Sequence, residues 1–420
     1  MPDQPPDPGN DAFRLLSAAV TSGDAAETSR LLDSFPALKS RLDEPLPDAA
    51  FGGTALLRAV GARNRPLVDI LLTAGADINA RSHWWAGSFG VLDHPSGMES
   101  YLIERGARVD AHAAARLGMI GRLRELVNAN PSLVNARGGD GQTPLHFAST
   151  VEIAEFLLDH GAPIDVRDID HESTPAQYMV DDRQDVARHL IGRGCRTDIL
   201  MAAALGDLDL VKKHLAEDPA VIEMRVDGEH FPMSDERAGG SIYIWTLRGA
   251  RSPHAVARRF AHPEVLRYLM ETGSPEQQLV MACELGDKPA AEAILTANPG
   301  LEGAARAKHS RQLVAAAEAN DTSVVRMMLE LGWPADAANP QGETALHWAG
   351  FHGNPQMAAE LLQRGARLDV EDSRHHATPL GWADYGSRHG WYRQTGDYPA
   401  VIQMLSGGSG PPLSPNIATV

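Results

Sequence analysis

Only two cysteines, Cys195 and Cys283, occur in the 420 residues, so no disulfide framework can staple this chain. They are far apart and lack metal-type spacing, and a reducing, cytoplasmic setting is expected. Basic charge is also short: 38 Lys and Arg stand against 55 Asp and Glu, a net charge of −17. That balance argues against nucleic acid and against an anionic membrane surface, and favours a neutral or basic partner. Apolar runs stay well below the ~18–20 residues of a membrane span. The opening Met1-Pro2-Asp3-Gln4-Pro5 has neither the basic nor the apolar region of a secretory signal. Glycine-rich phosphate loops, nucleophile elbows and zinc-type spacings are missing as well, so no cofactor and no metal are expected. A monomer is expected.

What the chain has is repetition. Thr54-Ala55-Leu56-Leu57-Arg58-Ala59, Thr143-Pro144-Leu145-His146-Phe147-Ala148 and Thr344-Ala345-Leu346-His347-Trp348-Ala349 are versions of one hexapeptide. Weaker copies begin at Thr174, Ser252 and Thr378. A second apolar helix usually follows and stops at Gly-Ala, as in Leu71-Leu72-Thr73-Ala74-Gly75-Ala76, Leu157-Leu158-Asp159-His160-Gly161-Ala162 and Leu361-Leu362-Gln363-Arg364-Gly365-Ala366. The chemistry suits the places: Thr caps a helix, Pro at the next position loses no hydrogen bond, and Gly ends the helix in the left-handed region. The pattern resembles the ankyrin repeat, with its T-P-L-H-x-A motif and a period near 33 residues. The resemblance implies an all-α solenoid of helix-turn-helix units with at most short strands. Leu72, Leu158 and Leu362 are expected between repeats, and His146 and His347 are expected to bond backbone of the neighbouring unit.

Other units are degenerate. Gly118, Gly206 and Gly286 each join two helices that end in Asn130-Pro131, Asp218-Pro219 and Asn298-Pro299; the first unit ends in Phe35-Pro36. Both kinds together make about twelve repeats over residues 10–405, with insertions near 227–250 and 386–396 and flexible tails at 1–9 and 406–420.

Four departures from the repeat mark candidate binding positions. His83-Trp84-Trp85 through Asp93 replaces the finger and inner helix of the third unit, and the resemblance turns Trp84 and Asp93 toward a concave groove. The sixth carries Asp170-His171-Glu172 on its finger and Asp181-Asp182 after its inner helix; the spacing fixes no metal geometry. The eighth has the long insertion, where Ile242-Tyr243-Ile244-Trp245-Thr246 reads as strand, in an elongated hairpin finger. The last units hold Phe351, His352, His375, Tyr385 and Trp391 at groove or insertion positions, with Trp348 and Trp382 expected in the core.

Two functions are expected from this. The first is a binding protein that holds a protein or peptide in its groove, with Trp84, Trp85, Tyr243, Trp245, Phe351, Tyr385 and Trp391 as contacts. The second is a pocket for a small hydrophobic or aromatic ligand under the long finger. Asp93, His171, His352 and His375 would be its acids and bases if it is an enzyme. Curvature of the array could bring Trp84, Trp245 and Tyr385 toward one space.

Overall fold

The computed structural model describes residues 8–47, 49–299, 301 and 311–407. The expected tails lie outside these residues except at their inner edges, where a helix already begins at Pro8. The chain divides into two compact units, Met1–Ser252 and Pro253–Val420. Regular structure among the described residues is helical, with isolated bridges at the fingers, such as Pro45 with Thr54 and Ala338 with Thr344.

Among the described residues the first unit contains seven outer helices, from Ala25–Ser34 to Leu208–Glu217, and the second has five, from Pro263–Thr272 to Tyr398–Leu405. Each stacks inner on inner and outer on outer: Pro8–Ser22 packs on Ala55–Gly61, and Thr322–Glu330 packs on Pro355–Gln363. One pair alone exposes an apolar face, so stacking supplies the core. The caps behave as their residue types require. The Thr54 hydroxyl accepts the Leu57 amide at 3.3 Å, and Gly75, Gly161 and Gly365 end outer helices at φ near +90 to +107°. The alanines that follow, Ala76, Ala162 and Ala366, are buried.

Four expectations need correction. Leu71, Leu157 and Leu361 are fully buried, while their neighbours Leu72, Leu158 and Leu362 are half-buried. Successive helical residues lie 100° apart, so only one of each pair can face the seam. The third repeat has no inner helix: residues 82–98 run irregularly before Glu99–Glu104. The segment read as strand is a single helical turn, Tyr243–Thr246. It lacks a partner strand and docks on the sixth inner helix, Pro175–Met179, through Thr246 Oγ1, which donates to the Gln177 carbonyl at 3.1 Å. The last inner helix, Pro379–His389, runs into the expected insertion before the turn at 391–395.

Candidate functional site

In the first unit the fingers of the third, fifth and sixth repeats meet the insertion of the eighth. The fifth finger, Gly138-Gly139-Asp140-Gly141, must be glycine-rich, because a Cβ at Gly139 would lie 2.1 Å from the Phe89 ring and one at Gly141 2.3 Å from Ile169. Asp140 sits at its tip with φ +54°, and its carbonyl accepts the amides of Ile169 and Asp170 at 2.8 and 3.1 Å. That register lays one finger on the next and brings three ionisable side chains together.

They are Asp140, Asp170 and His171. His171 Nε2 lies 3.6 Å from Asp170 Oδ2 and 3.8 Å from Asp140 Oδ2. Asp170 is 4% exposed and His171 8%. Oδ1 of Asp140 and Oδ1 of Asp170 are buried without a hydrogen-bond partner. Asp168 nearby is different: it accepts from His171 N, Ser173 N and the Tyr178 hydroxyl at 2.7–3.1 Å, and so serves the finger turn. Burial pushes the Asp140 carboxyl up to about 6; neighbouring Asp170 and Asp168 add to this, and His171 opposes it.

Aromatic rings surround the cluster. Trp84 packs edge-on to Phe51 at 4.9 Å and next to Trp85 at 6.2 Å, and the Arg237 guanidinium lies 4.3 Å above the Trp85 ring. The indole N–H of Trp85 is buried without a partner, and that of Trp84 is buried beside the Asp140 carboxylate, whose pKa it helps to lower. Trp245 is 54% exposed and packs edge-on to His171 at 4.9 Å. A cavity of about 350 Å³ lies on the other side of His171, beneath His230–Met233 of the insertion. Its lining is largely polar and includes Arg167, Glu172, Arg196 and Asp198, with Phe231 and Met233 among the apolar members. Trp84, Trp85, Tyr243 and Trp245 do not line it, so the pocket under the insertion differs from the aromatic one expected.

Two expected site residues of this unit are structural. Asp93 is buried; its Oδ2 accepts from Arg81 Nη2 and from the Gly90 amide, both at 2.7 Å, and holds the irregular third repeat in place of a helix. Tyr243 is fully buried, with its hydroxyl donating to Asp198 at 2.9 Å. Asp181 pairs with Arg248, and Asp182 with Arg183 at 3.2 Å.

The second unit holds a separate aromatic cluster. Trp348 packs on Phe351, Trp382 and Trp391 with centroids 5.1–6.2 Å apart, and Phe351 stacks on Tyr385 at 6.5 Å. Tyr385 is 58% exposed and Trp391 68%. Trp348 and Trp382 are half-buried instead of core, because the rings share one surface stack. A glycine builds the base: a Cβ at Gly386 would lie 2.4 Å from the Phe351 carbonyl oxygen. His352 is buried beneath the rings with Nε2 2.9 Å from the Glu318 carbonyl, and burial lowers its pKa. It links two repeats and cannot reach solvent as an acid or base. His375 is exposed at a finger tip, 6.3 Å from the Trp382 ring.

Asp140 escaped sequence reasoning. It stands in another repeat, thirty residues before Asp170, and four finger-turn residues of high glycine content hide it. The signal was an acidic residue, Asp140, at the finger position that His171 occupies in the next repeat, 31 residues later.

Parts of the chain are similar to known proteins. A family profile of ankyrin repeats in three copies matches residues 111–201 and 279–372. A palmitoyltransferase, Hip14 of Drosophila melanogaster, is 29% identical over 87 residues, which are 21% of this chain and 12% of that protein. An E3 ubiquitin-protein ligase, XB3 of Oryza sativa subsp. japonica, is 35% identical over 104 residues, 24% of this chain and 23% of that protein. The chain therefore spans less than a quarter of either relative. The crystal structure of the human ASB11 ankyrin repeat domain aligns with 73% of this chain and 100% of that chain, at 18% identity and a TM-score of 0.26. No helix among the described residues is long and apolar enough to cross a membrane. With the repeat motifs, their caps and the matched segments in agreement, this chain is an ankyrin-repeat protein.

Proposed function

We propose that this chain is a protein-binding ankyrin array whose partner docks on the aromatic cluster of the second unit. Ankyrin repeats in general mediate protein–protein interaction, and the observation that carries the reading is the Trp348–Phe351–Trp382–Tyr385–Trp391 stack. Two of its rings, Tyr385 and Trp391, expose more than half of their surface. Large aromatic rings resting on a rigid base are the usual anchors of an interface, because burying them gains area at little entropic cost. The net charge of −17 favours a neutral or basic partner. Both cysteines are buried and outside any disulfide, which fits a monomeric protein of the reducing cytoplasm. Photo-crosslinking tests this: a photoreactive phenylalanine analogue at position 385 should capture a partner protein that the same analogue at exposed, outer-helix position 363 does not. Equal capture at both positions would refute the docking face.

The cavity beside His171 favours a second reading, a site for a small polar ligand. Arg167 and Arg196 would bind its acidic or hydroxyl groups. A thermal-shift screen of small polar metabolites should then give a hit that Arg196→Ala loses, and a hit retained by Arg196→Ala would place the ligand elsewhere.

A further inference from the structure

The fingers of the fifth and sixth repeats bring three potential ligand atoms to face one another. His171 Nδ1 lies 2.8 Å from the carbonyl oxygen of Gly240. A carbonyl only accepts, so Nδ1 carries the proton, and in the neutral ring Nε2 presents a lone pair. That lone pair faces Asp140 Oδ2 and Asp170 Oδ2 at 3.8 and 3.6 Å, beyond hydrogen-bond reach. Among the described residues, Asp140, Asp170 and His171 are the group whose ligand atoms all lie within 4.8 Å of one another. A buried carboxylate oxygen with no partner is costly, and Asp170 is 4% exposed with Oδ1 unpartnered. With the ring neutral, three acceptors converge and the Trp84 indole is the donor beside Asp140, an arrangement that a cation resolves.

We infer that Asp140, Asp170 and His171 form a binding site for a first-row divalent cation. One imidazole nitrogen and two carboxylates suit the Mn–Zn series, and their two negative charges balance the ion. A tetrahedral ion with bonds of ~2.0–2.2 Å holds its ligand atoms roughly 3.3–3.6 Å apart; the two His171 edges, at 3.6 and 3.8 Å, are close to this, and the two carboxylates lie within 4.8 Å of each other. The outer shell is in place: a ligating histidine ordinarily donates its other N–H to a backbone carbonyl, here that of Gly240. The Gly239 amide donates to the Asp170 carbonyl at 2.9 Å, and a Cβ at Gly239 would lie 3.1 Å from Asp170 Oδ2. The insertion of the eighth repeat thus closes over the ligands through two glycines, and the ion ties that insertion to the fingers beneath it.

The test uses the full chain stripped with a chelator. Calorimetric titration with ZnCl2 and MnCl2 should show one equivalent bound, and the melting temperature should rise with metal concentration. Co2+ should give absorption bands of nitrogen–oxygen coordination. Asp170→Asn, nearly the same shape, should weaken binding by about 100-fold, and Gly239→Ala by about 10-fold through the outer shell. His375→Ala with His376→Ala should leave the equivalent intact. No stoichiometric uptake by the stripped wild type overturns the inference, as does unchanged affinity in an Asp170→Asn variant with a native circular dichroism spectrum. If that variant loses helicity, Co2+ titration of His171→Gln decides, and unaltered bands overturn it.

Discussion

The imidazole of His146 connects two repeats: its Nε2 lies 3.2 Å from the carbonyl oxygen of Ser173, 27 residues later. Its Nδ1 accepts the Thr143 amide at 3.1 Å, so Nε2 bears the proton and donates. Burial pushes its pKa down to about 3 from 6.5; the Ser173 carbonyl opposes this and Arg137 adds to it. The folded value lies below the unfolded one, so this stability is fully present above pH 6.5 and is lost as the pH falls toward 3. His347 repeats the arrangement with Thr344 and Ala377, and burial lowers its pKa too.

A natural experiment is built into the chain. The sixth repeat has Gln177 where the fifth has His146, and its Oε1 accepts the Thr174 amide at 2.8 Å. His146→Gln should therefore keep the capping box and fold at pH 7 while removing one acid-sensitive group. Urea unfolding in steps from pH 7 to pH 4 should show a shallower loss of stability than wild type. An unchanged slope would mean that His146 is protonated in the native state.

Burial separates the two leucines of each outer helix. Leu157 is fully buried and Leu158 half-buried. Leu157→Ala should cost ~2–5 kcal/mol and Leu158→Ala markedly less. Since each repeat touches only its neighbours, the loss should appear first as raised hydrogen exchange in the fourth to sixth repeats. Equal costs at both positions would contradict the assigned seam.

The stacking frame was legible because it is written locally. Thr54 caps its helix with its own hydroxyl, Thr143 and Thr344 start theirs in capping boxes with His146 and His347, and Gly75, Gly161 and Gly365 end helices through their own backbone. His146 and His347 bond backbone between repeats as the motif implied. The candidate site was legible only in part, because it is written across repeats. Trp245, Tyr385 and Trp391 are exposed, and His171 lies in a cluster with Asp140 and Asp170. Asp140 joins that cluster through a finger-to-finger register that no local pattern encodes. Asp93 and Tyr243 went the other way: charge and aromaticity marked them for a ligand, but Arg81 and Asp198 use them inside the fold.

Asp372 organises the last finger. Its carboxylate accepts the amides of Arg374, His375 and Ala377 at 2.6–3.2 Å and the Trp382 indole at 3.0 Å. Burial raises its pKa, but the Trp382 indole and the backbone amides outweigh that and hold it at about 2. The folded value is depressed below 3.8, so the stabilisation is present above that pH and is lost as the pH falls toward 2. Asp372→Ala removes the acceptor of the half-buried Ala377 amide and Trp382 indole as well as of two exposed residues, and a loss of about 1–3 kcal/mol is expected. Lower stability and a red-shifted Trp fluorescence are expected at pH 7. Unchanged fluorescence would show that Trp382 is held by ring packing alone.

The aromatic stack of the second unit permits a test that separates anchor from packing. Trp391 and Tyr385 are mostly exposed, whereas Trp348 is half-buried with its indole N–H inside the stack. Trp391→Ala and Tyr385→Ala should each weaken a cross-linked partner by roughly 30-fold, the ~2 kcal/mol of a lost anchor, with melting temperature nearly unchanged. Trp348→Ala should lower both stability and affinity, because it removes the ring on which Phe351, Trp382 and Trp391 rest. Glu360 is a poor control, since it pairs with Arg326 and Arg364 at 2.7 and 2.8 Å. Gln363, exposed on the same outer helix, is the better one, and Gln363→Ala should change neither quantity. Calorimetric binding together with thermal melts on the four variants decides the matter. If Trp391→Ala destabilises the protein as much as Trp348→Ala does, the exposed rings are part of the packing and the docking face must be sought elsewhere.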